Sequence, residues 1–301
     1  MPRTSSPPRR SRILRVAAAF LVLVAVAGYM AVQYLSGYEG APRCTVGAAG
    51  EGEGRTYEMT PDQAANAATV SAVGTTRGLP ERAVTIALAT ALQESALRNI
   101  DHGDRDSLGL FQQRPSQGWG TPEQIMDPVY SSGEFYEHLA EVPGYSRLPL
   151  TVAAQRVQKS GFPQAYAKHE PDAALLAAAL TGRAPASLTC SLPAASAGAP
   201  GDATEVRSDL VRAFGKDVLP SAGSAGASSA STVSVPARAD GDAASRRGWE
   251  LAHWAVARAG TLRIEEVSYA GRVWTADTGW RTERAEHGKP LTTTVRMRLA
   301  Q

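Results

Sequence analysis

Residues 91–119 read ALQESALRNIDHGDRDSLGLFQQRPSQGW, and this stretch decides how the middle of the chain is interpreted. It begins inside a predicted helix over residues 81–98, which has an acid in its first turn and a cation in its last, as the helix dipole favours. Glu94 lies on a helix face whose neighbouring residues are small and mostly apolar. A poorly solvated carboxyl there keeps its proton more readily and can donate it to a leaving-group oxygen. On the helix pattern alone, an ordinary solvated glutamate is the simpler interpretation.

A second motif follows Glu94-Ser95 after a polar loop, the hexapeptide SLGLFQ at residues 107–112. A Glu-Ser pair at a helix end followed by a Ser-x-Gly-Leu-x-Gln element resembles the soluble lytic transglycosylase and goose-type lysozyme superfamily. The glutamate and the glutamine are 18 residues apart, which fits the layout of that family. The resemblance covers about residues 60–185 and implies a lysozyme-like helical domain.

The resemblance implies an enzyme that cleaves the bond between N-acetylmuramic acid and N-acetylglucosamine in peptidoglycan without a cofactor. Glu94 would protonate the glycosidic oxygen and then take a proton from the muramoyl C6 hydroxyl, which gives a 1,6-anhydro product. Ser107 would lie beside the cleft, and Gln112 would contact the sugar. Gly109, which has no Cβ, would let the backbone approach the substrate.

One element of the family is missing from this chain. A Tyr-Asn-x-Gly element often occurs where residues 158–161 read QKSG. The residue that orients the N-acetyl group of the substrate is therefore open, with Gln158 and Tyr166 as candidates. The departure also favours a rival function, a cell-wall binding or scaffolding protein that has the lysozyme-like fold without turnover.

The polar loop DHGDRD at residues 101–106 contains three aspartates, which allow three interpretations. They could bind calcium, although the glycine position and the absence of a closing glutamate do not fit an EF-hand loop. One of them could be the second carboxylate of a two-carboxylate hydrolase. The simplest interpretation is a solvated turn. The histidines show no metal-ligand spacing, so no metal site is predicted.

Aromatic side chains can pack on sugar rings or fill a core. Trp119 and Phe111 suit a sugar cleft and core packing equally well. Four more tryptophans lie near the C-terminus, and for these core packing is favoured over glycan binding: Trp249, Trp254, Trp274 and Trp280.

The N-terminus predicts a membrane anchor. Residues 16–35 are an uncharged apolar run of 20 residues, enough to cross a bilayer as a helix, and five arginines precede them in the basic tail, residues 1–15. Cationic flanks stay on the cytoplasmic side, so the bulk of a single-pass chain would be extracytoplasmic. The alternative is a cleaved signal peptide, with Ala25-Val26-Ala27 as the cleavage site.

The charge distribution argues against nucleic acid as a partner. The chain has a formal charge of +2, but the five N-terminal arginines leave a charge of −3 on residues 16–301. Nucleic-acid binding would require basic residues over a folded face. The expected partners are therefore peptidoglycan strands and, through residues 16–35, the lipid bilayer.

Two cysteines, Cys44 and Cys190, lie beyond the apolar run and bracket a segment the size of a small domain. In an oxidising compartment such a pair predicts a disulfide, and two free thiols are the alternative.

The chain as a whole is predicted to be mainly α. It divides into a stalk (residues 36–59), the helical domain (60–190), a linker (191–201) and a small α+β domain (202–301) with a Ser/Ala/Gly-rich stretch at 221–231. Thr60 is the predicted N-cap of the first helix. Helical patterns cover residues 64–76, 81–98, 121–125, 130–141, 150–160, 171–180, 202–214 and 246–259. Strand patterns cover residues 264–268, 272–275 and 292–299, with a further strand expected before residue 236.

Overall fold

The computed structural model describes residues 9–35, 41–48, 54–162, 164–193, 200–220, 231–239, 241–283 and 293–301. The chain divides into two units, one that ends at Ala41 and one that runs from Pro42 to Gln301. Several predicted segments lie wholly or partly outside the described residues: 1–8 of the basic tail, 36–40 and 49–53 of the stalk, 194–199 of the linker, and 221–230 of the Ser/Ala/Gly-rich stretch.

The first unit contains one described helix, α1 (Arg9–Leu35). Its segment Ile13–Met30 has a mean hydropathy of 2.2 over 18 residues. At 1.5 Å per residue this segment is about 27 Å long, close to the thickness of the bilayer hydrocarbon. The helix over residues 16–35 is therefore confirmed as one that is long and apolar enough to cross a membrane. A signal sequence has the same properties.

The second unit combines helices with two small antiparallel sheets, and about 54% of the described residues are helical, so the mainly α prediction is confirmed. Its described helices are α2 (Pro61–Thr76), α3 (Glu81–Ser95), α4 (Pro122–Ile125), α5 (Pro128–Ala140), α6 (Leu150–Gln158), α7 (Glu170–Leu180), α8 (Ala203–Phe214), α9 (Gly241–Ala257) and α10 (Ala259–Leu262). Its described strands are β1 (Arg43–Gly47), β2 (Thr56–Met59), β3 (Leu188–Ser191), β4 (Thr232–Pro236), β5 (Ile264–Tyr269), β6 (Arg272–Thr275), β7 (Gly279–Thr282) and β8 (Thr294–Leu299).

Local signals explain where the first helices of this unit begin and end. Thr60 is the N-cap of α2 as predicted: its hydroxyl accepts from the N–H of Gln63, and the Gln63 side chain accepts from the N–H of Thr60. The next helix, α3, ends three residues before the predicted residue 98. The reason is that Ala96 and Leu97 have φ angles of 52° and 59°, the left-handed conformation that terminates a helix.

The sheet beside the helices has the strand order β2-β1-β3. Cys44 in β1 lies opposite Cys190 in β3, and the predicted disulfide joins them inside the core. Two other predictions are wrong here: residues 36–59 are not only a stalk, and residues 60–190 are not all helical. Each of these strands has four or five residues, too few for a recognisable pattern, and the pairing at the cysteines spans 146 residues.

The C-terminal part contains an antiparallel sheet with the strand order β4-β8-β5-β6-β7, against which α9 packs. One face of β8 is buried and contains Val295, Met297 and Leu299. The predicted helix over residues 202–214 and the strands at β4, β5, β6 and β8 are confirmed. Strand β7 was not predicted. It is an edge strand without a buried face, so its sequence shows no alternation of apolar and polar residues.

Residues 42–301 form one compact unit, whereas the sequence suggests two domains joined by a linker. Two tryptophans of the C-terminal part bind strand β3. The indole N–H of Trp274 donates to Thr189 Oγ1 at 3.0 Å, and that of Trp280 donates to the Leu188 carbonyl at 2.8 Å. Core packing is confirmed for the three buried tryptophans, Trp249, Trp254 and Trp274.

Helix α9 connects the two parts through buried polar groups. The Nδ1–H of His253 donates to the Ala179 carbonyl in α7 at 2.7 Å. Burial lowers the pKa of His253 to about 4, so the ring is neutral. Glu250 accepts from the Thr75 hydroxyl in α2 and from Arg247 at 2.8 Å, and burial raises the pKa of this carboxyl. These pairings offset part of the free-energy cost of burying the two polar side chains, although His253 Nε2 is buried without a partner among the described residues.

Candidate functional site

A cleft of about 950 Å³ opens beside the end of α3. Its lining comes from three further segments: residues 104–119, the end of α5 with the residues that follow it, and the end of α6 with residues 159–162. Four of the five predicted site residues line this cleft, namely Glu94, Ser107, Gln112 and Trp119. Residues that are 10 to 68 positions away from Glu94 along the chain therefore meet at one surface.

The end of α3 is fixed by hydrogen bonds from two directions. The buried hydroxyl of Ser95 donates to the Leu110 carbonyl at 2.8 Å, which joins the helix end to the loop that carries the second motif. Two amide side chains of α2 donate to the carbonyls just beyond Ser95, Gln63 to Ala96 at 2.7 Å and Asn66 to Leu97 at 2.8 Å. The Glu-Ser pair thus has a physical reason: the serine holds the helix end in the place that puts Glu94 at the cleft.

The Glu94 carboxyl is half-buried, and Tyr166 is its hydrogen-bond partner. The Tyr166 hydroxyl donates to Glu94 Oε1 at 2.7 Å, and the tyrosine side chain is fully buried. Burial raises the pKa of Tyr166, and the charge of Glu94 raises it further, so the phenol stays a neutral donor. Tyr166 was a candidate for orienting the N-acetyl group of the substrate; in the structure it orients the carboxyl.

The loop that carries the second motif folds as a small hairpin. Leu108 and Gln113 exchange two backbone hydrogen bonds of 2.9 and 3.0 Å. Gly109 turns the chain with a φ of 75°, and an added Cβ would lie 2.7 Å from the Ile125 carbonyl oxygen. Gly109 is not among the residues that line the cleft. Glycine is needed at this position because a side chain would collide with the Ile125 carbonyl oxygen, and not because the backbone approaches a ligand there.

The other two motif residues line the cleft but are already engaged. The buried hydroxyl of Ser107 accepts from Arg114 Nε at 2.9 Å. The amide of Gln112 donates to the Gly109 carbonyl at 3.3 Å and lies so close to Gly103 that a Cβ there would be 1.9 Å from Oε1. These contacts hold both side chains in place. A contact between Gln112 and a sugar stays a prediction.

Each of the three loop aspartates has a local partner. Asp101 pairs with His102 at 3.0 Å, Asp104 pairs with Arg114 at 2.7 Å, and Asp106 accepts from a backbone N–H at 2.9 Å. The hydrogen bonds lower the pKa of Asp101 and of Asp106. Within the described parts of the chain, no three His, Cys, Asp or Glu side chains come together as a possible metal site. The pairings fit the interpretation of a solvated turn.

Two aromatic side chains line the cleft, and a third does not. Trp119 stacks on His138 with ring centroids 4.1 Å apart. Phe162 is 76% exposed and is the one mainly exposed large hydrophobic residue among those described after Pro42. Phe111 is fully buried against Phe135, so it belongs to the core and its alternative as a cleft residue is wrong.

Gln158, the other candidate for orienting the N-acetyl group, lines the cleft, and its amide donates to the Phe111 carbonyl at 2.8 Å, which joins the end of α6 to the hairpin. Sequence reasoning missed the charged side chains that line the cleft on three segments: Arg105, Arg114, Glu141, Arg156 and Lys159. No spacing rule reveals these residues, because only the fold brings their segments together.

The cleft unites one half-buried carboxyl, a neutral donor bonded to it and aromatic surface open to solvent. This arrangement can supply a proton to a bound molecule and take one back. Comparison of the chain with models of known protein families finds no match, and comparison with curated proteins finds none.

Proposed function

We propose that this protein is a membrane-anchored peptidoglycan lytic transglycosylase that cleaves the bond between N-acetylmuramic acid and N-acetylglucosamine. The observation that carries the proposal is the contact of 2.7 Å between the Tyr166 hydroxyl and Glu94 Oε1 at the cleft. A carboxyl that is half-buried, held by one neutral donor and adjacent to space for a glycan has the features of a general acid–base group.

Glu94 performs both proton transfers in this mechanism. Its protonated carboxyl donates to the glycosidic oxygen as the bond from that oxygen to the muramoyl C1 breaks. The resulting carboxylate accepts the proton of the muramoyl C6 hydroxyl, and O6 bonds to C1 with no water consumed. The Tyr166 hydrogen bond to Oε1 stabilises the carboxylate between these two transfers and does not engage Oε2.

The other carboxylates at the cleft are less suited to a second catalytic role. Among the residues that line it, these are Asp104 and Glu141. Asp104 is bound to Arg114 and its side chain is 80% exposed, and Glu141 is also exposed. A two-carboxylate hydrolase would need one of them to activate water or attack the sugar. The distribution of carboxylates thus favours the single-carboxyl mechanism.

The products test the proposed function directly. Full-length protein in nonionic detergent is incubated with purified cell wall, and the released muropeptides are analysed by mass spectrometry. We expect anhydromuramoyl ends, which are lighter than hydrolysed ends by one water. Hydrolysed ends alone would identify a lysozyme. No release from several wall preparations would favour the rival function of a cell-wall binding or scaffolding protein.

Replacing Tyr166 by phenylalanine should lower kcat/KM for strand cleavage roughly 10- to 100-fold, the range expected for losing one hydrogen bond to a charged group. The aromatic ring and its packing are kept, so the melting temperature should change little. Tyr269→Phe is the matched control, because this buried tyrosine also donates one hydrogen bond, to the Ala244 carbonyl at 3.2 Å, and does not line the cleft. Equal rates for Tyr166→Phe and Tyr269→Phe would contradict the role assigned to the phenol.

We also propose a single-pass topology with residues after α1 outside the cytoplasm. The support is the apolar helix and the five arginines that precede Val16. Protease added to intact spheroplasts should degrade the part of the protein beyond the helix, and the protein should fractionate with membranes. Full protection would contradict the orientation, and recovery of a soluble, shortened chain would identify the apolar helix as a cleaved signal peptide.

A further inference from the structure

The charges at the cleft do not balance once internal pairs are removed. Four cations and three carboxylates line it, and Arg114 is occupied by Asp104 and Ser107. The other cations, Arg105, Arg156 and Lys159, have no carboxylate partner among the described residues. All three are exposed at the cleft. The cleft therefore presents three cations outside any ion pair of the described residues against two carboxylates, Glu94 and Glu141, which is an excess of one positive charge.

These three cations line the same cleft as Glu94, the proposed acid–base residue. Arg156 and Lys159 are close neighbours of Gln158 on the segment that the Gln158 amide bonds to the Phe111 carbonyl at 2.8 Å. Arg105 belongs to the polar loop that leads into the hairpin. Since both segments share the cleft with Glu94, an anionic group bound by the cations would lie in the same cleft as the scissile bond.

The glycan backbone alone offers these cations no negative charge. Alternating N-acetylated sugars carry hydroxyl, ether and amide groups, all of them uncharged. The anionic groups of the polymer are carboxylates on the lactyl substituent of the muramoyl residue, either in an attached peptide stem or, after its removal, on the lactyl group itself. Cations in the cleft would therefore bind the carboxylates of the lactyl substituent rather than the sugar ring.

We propose that Arg105, Arg156 and Lys159 form a subsite for the carboxylates of the peptide stem, so that the cleft selects glycan strands that still carry stems. This inference rests on the proposed function, because it needs a glycan in the cleft. Long cationic side chains at an open cleft make individually weak contacts, and their combined field raises the affinity for a ligand with several carboxylates.

Binding can be measured without cleavage in the full-length Glu94→Gln protein in nonionic detergent. Three ligands of matched length separate the possible sources of charge: uncross-linked strands with peptide stems, the same strands after an amidase has removed the stems, and a chitooligosaccharide without carboxylates. Calorimetry gives Kd for each ligand at low salt and at about 0.5 M salt, where the Debye length falls below about 5 Å.

We expect stem-bearing strands to bind most tightly and to lose roughly 10-fold in affinity when all three cations are replaced by glutamine. High salt should produce a similar loss, and the affinity for the chitooligosaccharide should stay unchanged. A matched control removes three exposed cations away from the cleft and should have no effect: Arg147→Gln, Arg272→Gln and Arg296→Gln.

Two results would overturn the inference while leaving the proposed function in place: an unchanged affinity for stem-bearing strands, or an equal loss for all three ligands. An equal loss for stem-bearing and amidase-treated strands would overturn the assignment to the stem in favour of the lactyl carboxylate. Failure of all three ligands to bind the protein would instead contradict the proposed function.

Discussion

Replacing Glu94 by glutamine should reduce glycan cleavage at least roughly 10²–10⁴-fold, the contribution usual for a general acid–base group. The amide has nearly the same shape as the carboxyl, and its oxygen can still accept from the Tyr166 hydroxyl, which donates to Oε1 in the wild-type protein. The amide cannot donate a proton to the glycosidic oxygen and then take one from the C6 hydroxyl. The rate of anhydro-product release and the melting temperature, measured together, separate lost chemistry from lost folding.

The competing carboxylates provide the controls for this result. Removing any one of them should reduce the rate far less than Glu94→Gln does. The relevant variants are Asp101→Asn, Asp104→Asn, Asp106→Asn and Glu141→Gln. A loss that matched that of Glu94→Gln in one of them would replace the single-carboxyl mechanism by a two-carboxylate one. Glu141→Gln is the most informative control, because this carboxylate lines the cleft without belonging to the polar loop.

Removing the disulfide should lower the free energy of unfolding by about 4–5 kcal/mol, because the bond closes a loop with a sequence separation of 146 residues. This figure is the loss of loop-closure entropy in the unfolded chain, and strain and residual structure usually reduce it. Both cysteines are buried, so the Cys44→Ala/Cys190→Ala variant also loses core contacts. Denaturant unfolding of the full-length protein, oxidised and reduced, isolates the covalent contribution.

The same preparation allows a direct count of thiols. The denatured, unreduced chain should contain no reactive thiol, since the pair joins β1 to β3. Two reactive thiols would contradict the bond. If oxidised and reduced wild-type protein unfolded at the same denaturant concentration, the assigned stabilisation would be wrong even with the bond present.

The helices were predictable because their signals are local. Thr60 and Pro61 mark the start of α2 within the first few residues, and the apolar run of α1 needs no partner to be recognised. The strands β1, β2 and β3 were not predictable, because each is too short to show alternation and acquires its meaning only from a partner far along the chain. The predicted boundary between two domains was wrong for the same reason. The contacts of Trp274 and Trp280 with β3 join distant segments, and amino-acid composition cannot predict such contacts.

The candidate site divides in a similar way. The spacing of two short motifs correctly predicted that Glu94, Ser107 and Gln112 share one cleft, because a helix end and the hairpin that follows it are close in sequence. The partner of Glu94 is Tyr166, 72 residues further on, and the tertiary packing of its segment decides that contact. The same packing places the cations at the cleft. Motif reasoning therefore located the carboxyl but not its hydrogen bond with Tyr166 or the cations that share the cleft.

The hydrogen bonds from the two tryptophans to β3 also bear on modularity. A chain cut in the segment after β3 would leave the Leu188 carbonyl and the Thr189 hydroxyl without their donors and would uncover the helix surfaces on which α9 lies. We therefore expect the half that contains the cleft to lose stability when it is expressed alone. The C-terminal part covers surfaces of that half, so the exchange of one half in evolution would require matching changes in the other.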